Sequence, residues 1–476
     1  MIIRTLNKLL FSGTNLPLGK LFPACLFCFI LCIQIISANA AQKGQMAREP
    51  IFDSMVYIEE HGKQNDLTLV LVHGTGELGA TIWDSTIEEL KDSFHILTFD
   101  LPGFGRSEKK NALYSPAKYA RFLNWVIDKK TSEPIYLIGH SLGGAISLYY
   151  AGIFPDKLDR LVLVDIAGIL HRSSFTKNML DQQLSGEVKV GKKNIIEKPL
   201  STLKYIVGTT IENVEKAVVP EDIGPLLESK TFRSTALDGN PIRISAMALI
   251  HTDFSPILEK VRVPTNIIWG ENDAIAPLRV GKLLAYRINK TSLTVLNGLE
   301  HNPMLEDPET FNSMLLESIM ETSPELFGKI ENSKITAEKP ISRQFTNQNN
   351  LIISGHFKKL TIKNSRNVTL RNLVAQYLEI EDSEMVLENV LVKGKEIGVQ
   401  INDSIVYLTG VNISADTAIR VFNSNVDIAG SRLTAKRHLI RSERKSTVVF
   451  SVCKVQSPSV SGNVHKMISL HLGETF

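Results

Sequence analysis

The stretch Gly139-His140-Ser141-Leu142-Gly143-Gly144 has residue types and spacing suited to covalent chemistry. It follows an apolar run at 135–138 and precedes a helical stretch at 145–154. G-x-S-x-G between a buried strand and a helix marks a turn too tight for side chains at its glycines. The serine is held there in strain, with its hydroxyl in the site. A neutral hydroxyl is a weak nucleophile; it needs an adjacent base, and the base needs an orienting acid. His301 in Gly298-Leu299-Glu300-His301 is the candidate base, with His171 and His251 as competitors that read as surface or lid residues. Asp273 in Gly270-Glu271-Asn272-Asp273 is the candidate acid, with Asp165 at the end of the run 161–164 as its rival. His73 and His140 flank glycines and read as structural. Asp100 precedes a Pro-Gly turn and reads as a tie for that loop.

A second motif competes. Gly74-Thr75-Gly76-Glu77-Leu78-Gly79 spells G-x-G-x-x-G after a strand, with Asp100 lying 21 residues past Gly79. Alone, it is a dinucleotide fingerprint. A nucleotide site accounts for neither the serine turn nor the later acid and histidine, so the serine reading is preferred. There is no H-E-x-x-H, no P-loop and, beyond residue 40, no C-x-x-C. No metal and no cofactor are implied.

The elements that must position these residues are legible in the patterning. Apolar runs at 67–72, 95–99, 135–138, 161–164, 266–269 and 292–296 are rich in Val, Ile and Leu on both faces, as buried parallel strands are. Helical stretches alternate with them; 115–129 places Tyr119, Phe122 and Val126 on one face, and 307–319 closes the unit. Such alternation predicts a doubly wound α/β sheet. The segment from about 169 to 247 breaks the rhythm and reads as a helical cap over the strand ends.

The motifs, taken in order, resemble the α/β-hydrolase family over residues 50–322. His73-Gly74-Thr75-Gly76 stands where that family has its oxyanion loop. Asp100-Leu101-Pro102-Gly103-Phe104-Gly105-Arg106-Ser107 is similar to its D-x-P-G-x-G-x-S turn. Asp273 and His301 stand at its usual places for acid and base, in the order Ser, Asp, His. The resemblance implies Ser141 as nucleophile, His301 as base and Asp273 as the acid that orients it. It also implies an oxyanion hole from the backbone N–H groups of Thr75 and Leu142. A serine rather than an aspartate nucleophile implies an acyl-enzyme, and hence an esterase or lipase. Other Ser-triad hydrolysis, of C–C or amide bonds, is the alternative. So is a non-catalytic protein acting through its C-terminal region.

Apolar residues of the cap and its edge (Ile169, Leu170, Phe175, Met179, Leu180, Leu184, Leu200, Leu203, Tyr205, Ile206, Val207, Leu226, Leu227, Met247 and Leu249) suit either an acyl pocket or the cap's own core.

The rest of the chain reads separately. At 476 residues, two domains are expected. Residues 323–350 read as a linker, 351–457 as an all-β repeat domain and 458–476 as a tail. Taking Val368, Met385, Val406, Val426 and Val448 as equivalent gives steps of 17, 21, 20 and 22 residues. A drifting period near 20 with β alternation predicts a parallel β-helix of five coils, with a sandwich as the plainer alternative. No Asp cluster recurs on neighbouring coils and aromatics are sparse, which argues against a second active site. Such coils resemble those of polysaccharide-active enzymes, which implies a possible glycan contact. The basic stretch from Lys436 through Arg437, Arg441 and Arg444 to Lys445 reads as a contact for an anionic envelope surface or as a solvated face.

Residues 1–40 carry Arg4, Lys8 and Lys20, an apolar run at 21–36 and Ala38-Asn39-Ala40, an export signal cleaved after Ala40. An uncleaved anchor is the alternative, although 16 residues fall short of the ~20 that span a bilayer. A periplasmic or secreted protein follows. The formal charge of +3 resides in that segment, which excludes a generally basic nucleic-acid binder. Three of the four cysteines also lie there; Cys453 remains, in an apolar alternation that reads as packed and inert.

Overall fold

The computed structural model describes residues 44–131, 134–175, 223–320 and 340–476. The export signal, residues 176–222 of the cap and most of the linker lie outside the described residues.

The first part is an eight-stranded sheet: β1 (Gln45–Glu49), β2 (Ser54–His61), β3 (Thr68–Val72), β4 (His95–Phe99), β5 (Ile135–His140), β6 (Leu158–Val164), β7 (Thr265–Gly270) and β8 (Thr291–Leu296). Their spatial order is β1-β2-β4-β3-β5-β6-β7-β8. From β4 to β8 the pairings are parallel, and β2 joins β4 antiparallel. β3 and β5 through β7 are almost wholly buried because helices cover both faces, which is why they read as continuous apolar runs. The helix Pro116–Lys130 begins where its sequence says it should: the Ser115 hydroxyl caps the Lys118 N–H and Pro116 takes the first position. The antiparallel β2, with half-buried alternate residues, was not read from the sequence.

The described part of the cap is helical: Gly224–Glu228, Lys230–Ala236 and Pro241–Ile250, between β6 and β7. Ile169, Leu170, Phe175, Leu227, Met247 and Leu249 all pack into the hydrophobic core of the sheet. The others that are named, apart from half-buried Leu226, lie outside the described residues.

The second part is a β-solenoid. Its strands are β9 (Ile341–Thr346), β10 (Ile352–Lys363), β11 (Arg366–Glu381), β12 (Glu384–Lys393), β13 (Ile397–Asn402), β14 (Ile405–Thr409), β15 (Asn412–Phe422), β16 (Asn425–Ala429), β17 (Arg432–Ser442), β18 (Ser446–Gln456) and β19 (Ser461–Leu470). Val368 pairs with Met385, Met385 with Val406, Val406 with Val426 and Val426 with Val448, the equivalence read from the sequence. The Asx-Ser pairs of the repeat are its corners. Asn364, Asp382, Asp403 and Asn423 all have φ between 45 and 47°, a left-handed conformation that Asn and Asp tolerate. Behind them the buried serines form a ladder. The N–H groups of Ser365, Ser383, Ser404 and Ser424 donate to the hydroxyls of Ser383, Ser404, Ser424 and Ser446, at 3.0 to 3.2 Å.

The coil count and two sequence boundaries are corrected. Ile352–Ile353 pair with Thr369–Leu370, so a rung precedes the five expected. β9 lies in the stretch read as linker; it is an exposed strand that pairs on one side only, with too little apolar residue for its pattern to show. β19 lies in the stretch read as tail; it runs antiparallel along β18, closing the last rung. A one-off closing strand carries no repeat and leaves no periodic signal.

The two parts form one compact unit, Met46–Phe476. The helix Arg279–Arg287 lies against the ends of β14 and β16 and the glycine turns after them, at Gly410 and Gly430. Arg279 donates to the Thr409 hydroxyl at 2.8 Å, to the Leu408 carbonyl at 3.1 Å, and to the carbonyl and carboxylate of Asp427 at 3.0 Å each. Lys282 pairs with Glu388 at 2.6 Å. A Cβ on Gly410 would fall 2.2 Å from the Tyr286 ring, and Gly410 has φ 63°, so glycine is required twice over.

Candidate active site

Ser141 sits between β5 and the helix Leu142–Ile153, with φ 53° and ψ −118°. A non-glycine residue there costs of order 1–3 kcal/mol, held by its surroundings. The Ser141 N–H donates to the Val164 carbonyl at 3.0 Å, and the Ala145 N–H donates to the Ser141 carbonyl at 3.1 Å. The flanking glycines are a matter of space. A Cβ on Gly139 would lie 2.4 Å from the Gly143 carbonyl oxygen, and one on Gly143 would lie 2.2 Å from that of Val72.

Three sequence candidates come together. His301 Nε2 is 3.0 Å from Ser141 Oγ, and His301 Nδ1 is 2.7 Å from Asp273 Oδ2. All three side chains are buried. The Asp273 Oδ1 accepts from the N–H groups of Ile275 at 2.8 Å and Ala276 at 2.9 Å, which fixes the carboxylate and leaves Oδ2 for the histidine. A carboxylate on Nδ1 sets the tautomer with the proton there and presents Nε2 as acceptor to the serine hydroxyl.

Asp165, the rival acid, is also buried, at the end of β6. Its Oδ1 accepts from the Gly270 N–H at 2.9 Å, and it does not take the histidine. Burial, and then the neighbouring Asp273 charge, push its carboxyl well above the usual carboxylate range.

The loop after β3 lies against the serine: a Cβ on Gly74 would be 2.8 Å from Ser141 Cβ. His73 holds that loop. Its Nδ1–H donates to the Gly74 carbonyl at 2.6 Å, and its Nε2 accepts from the Leu101 N–H at 2.8 Å. Burial keeps it neutral by lowering its pKa. Thr75 follows in this loop, and Leu142 opens the helix, where the first N–H groups have no intrahelical acceptor. His140 donates from Nε2 to the His301 carbonyl at 2.7 Å.

Asp100 ties its loop as the sequence suggested, accepting from the Ala80 N–H and the Arg106 N–H and Nε, each at 2.7 Å. The carboxylate that a dinucleotide ribose would need is therefore already spent on Ala80 and Arg106. Of the two readings of His171, surface or lid, the surface one is corrected. The residue is buried at the cap root, its N–H donating to Ser451 of the solenoid at 2.9 Å and its ring 5.2 Å from that of His465. Sequence periodicity gave no sign of this because the partner lies 280 residues away. Glu306, which brackets His301, was likewise missed; its spacing five residues past the histidine was the available signal.

Cys453 is buried, with its thiol pushed up to about 12 by desolvation, and so is inert to nucleophilic chemistry. The basic stretch is partly neutralised: Lys436 pairs with Asp416 at 3.3 Å and Arg441 with Glu443 at 3.2 Å. Among the described residues no group of His, Cys, Asp and Glu is arranged to hold a metal ion.

Residues 68–217 match the family model described as alpha/beta hydrolase fold. A 2-hydroxy-6-oxononadienedioate/2-hydroxy-6-oxononatrienedioate hydrolase of Escherichia coli is 27% identical over 277 residues, 54% of this chain and 92% of that protein. An uncharacterized protein of Mycobacterium tuberculosis is 26% identical over 270 residues, 54% of this chain and 75% of its own length. Among solved structures, a thermophilic esterase from Thermogutta terrifontis is 22% identical with a TM-score of 0.43, covering 58% of this chain and 98% of that one. With the sheet order, the serine turn between β5 and its helix, and the family model in agreement, the region carrying Ser141 has the alpha/beta hydrolase fold.

Proposed function

We propose that this protein is an exported serine hydrolase that cleaves carboxylic esters, with Ser141 as nucleophile, His301 as base and Asp273 as orienting acid. The observation that carries the reading is the hydrogen-bonded chain from Ser141 Oγ through both nitrogens of His301 to Asp273. Ser141 Oγ attacks the acyl carbon as His301 Nε2 takes its proton. The charge on the former carbonyl oxygen falls to the N–H groups of Leu142 and Thr75. Collapse breaks the ester bond, and His301 returns its proton to the departing alcohol. Water, deprotonated by the same nitrogen, then attacks the acyl-enzyme, releases the acid and restores Ser141. Losing one oxyanion donor costs about 10²–10³ in rate.

The test compares the wild type with Ser141→Ala on p-nitrophenyl esters from acetate to palmitate. Hydrolysis abolished by the substitution supports the reading, and equal slow hydrolysis by both proteins refutes it. A second reading, hydrolysis of a C–C bond, is favoured by the relatives named as oxononadienedioate hydrolases. A vinylogous diketo acid in the same panel separates the two. Export rests on residues 1–40; a mature N-terminus at Ala41 in the periplasmic or culture fraction is the expected result.

A further inference from the structure

The turn that carries His301 is gripped from both sides. The carboxylate of Glu306 accepts from the Glu300 N–H at 2.6 Å through Oε2 and from the Asn302 N–H at 2.9 Å through Oε1. These are the amide N–H groups of the residues immediately before and after His301. The intervening carbonyl, that of His301 itself, accepts from His140 Nε2 at 2.7 Å. Glu306 is in turn placed by the short helix Pro303–Glu306, whose own start is closed by the Leu305 and Glu306 N–H groups donating to the Asn302 carbonyl. The stretch before it is tied to the turn after β7: the Gly298 N–H donates to the Glu271 carboxylate at 3.0 Å and the Leu299 carbonyl accepts from the Asn272 N–H at 2.8 Å.

We propose that Glu306 is a positioning residue, which fixes the backbone of His301 so that its imidazole reaches Ser141 and Asp273 at once. The inference rests on the serine-hydrolase reading. Its physical basis is that one rigid ring must satisfy two distances, 3.0 Å to the serine and 2.7 Å to the acid. A ring hinged on a loose backbone meets one at the expense of the other, and misplacement by about 1 Å costs on the order of 10²-fold in rate. Only a carboxylate of this length serves. Glutamine has the size but offers one oxygen, so its NH2 faces one of the two N–H donors. Aspartate is one methylene too short to bracket both.

The test uses Glu306→Gln and Glu306→Ala in the full chain, with active sites counted by a fluorophosphonate probe and rates expressed per reactive site. The expected result is a fall in kcat per site of about 10- to 100-fold, with KM within about twofold. The downfield proton resonance of His301 Nδ1, identified by its loss in His301→Gln, should broaden or vanish. A purely structural role would lower the number of reactive sites and leave kcat per site and the resonance unchanged. That outcome overturns the proposal, as does wild-type behaviour in Glu306→Gln. Should Glu306→Ala fail to fold, the isosteric glutamine variant decides. If the wild type shows no Ser141-dependent turnover, the functional reading fails, and the resonance still decides what Glu306 does.

Discussion

Arg279 provides the sharpest test of whether hydrolase and solenoid are one folding unit. Its side chain is largely buried and lies between two rungs, with hydrogen bonds to Thr409, Leu408 and Asp427. Arg279→Ala removes all of them and strands the Asp427 carboxylate, which is only 13% exposed. A stranded, partly buried acceptor and lost charged hydrogen bonds cost about 3 kcal/mol together. The unit from Met46 to Phe476 unfolds with an entropy of about 2.1 cal/mol/K per residue, or roughly 0.9 kcal/mol/K in all. A single transition should therefore move down by about 3 °C. Adding Gly410→Leu drives a side chain into the Tyr286 ring and should open the interface. Calorimetry on the wild type, the single variant and the double variant is the assay. One transition that falls and then divides into two is expected. A double variant that unfolds at the wild-type temperature in one step would refute the claim that this contact binds the two parts together.

Two further predictions concern buried titrating groups. Asp165 has its folded pKa raised by burial and by Asp273, so its contribution to stability is present below the unfolded carboxyl pKa and is lost as pH rises through the folded value. Asp165→Asn should therefore raise Tm at neutral and alkaline pH and bring no gain in acid; an identical pH–Tm curve for both proteins would refute this. His171 is depressed to about 3 by burial, then by His465 and Arg172, against an opposing pull from Asp427. Its contribution is present above the unfolded value near 6.5 and is lost as pH falls towards the folded one. Tm measured from pH 7 down to pH 4 should fall less steeply in His171→Gln than in the wild type, and parallel curves would count against a buried neutral histidine there.

Much of the fold could be read from the chain because its signals are local. Strands β3, β4, β5, β7 and β8 were anticipated to within two residues at each end; in β3, β5 and β7 burial on both faces writes itself as runs rich in Val, Ile and Leu, whereas the edge strand β8 is half-buried along its middle. The start of β6 was placed three residues late because Asp159 interrupts its run. The solenoid register was legible through its Asx-Ser corners, where a left-handed backbone and a stacked hydroxyl each restrict the residue type.

Where contacts join distant segments, no local pattern exists to be read. His171 looks like any exposed histidine until Ser451 and His465 are brought to it. Asp165 and Asp273 stand at neighbouring strand ends and are equal candidates by type. What separates them is that the turn after β7 aims Asp273 Oδ2 at the histidine, whereas Asp165 turns to the Gly270 N–H. Glu306 is an ordinary acidic residue in a helix until its two oxygens meet the amides around His301.

The chain alone therefore determined the kinds of element, the serine turn and the coil register, because each depends on residues within a few positions of one another. The tertiary structure decided which acid serves the histidine, what steadies its turn and how the solenoid seats on the hydrolase. Those depend on distances between atoms that only folding brings together.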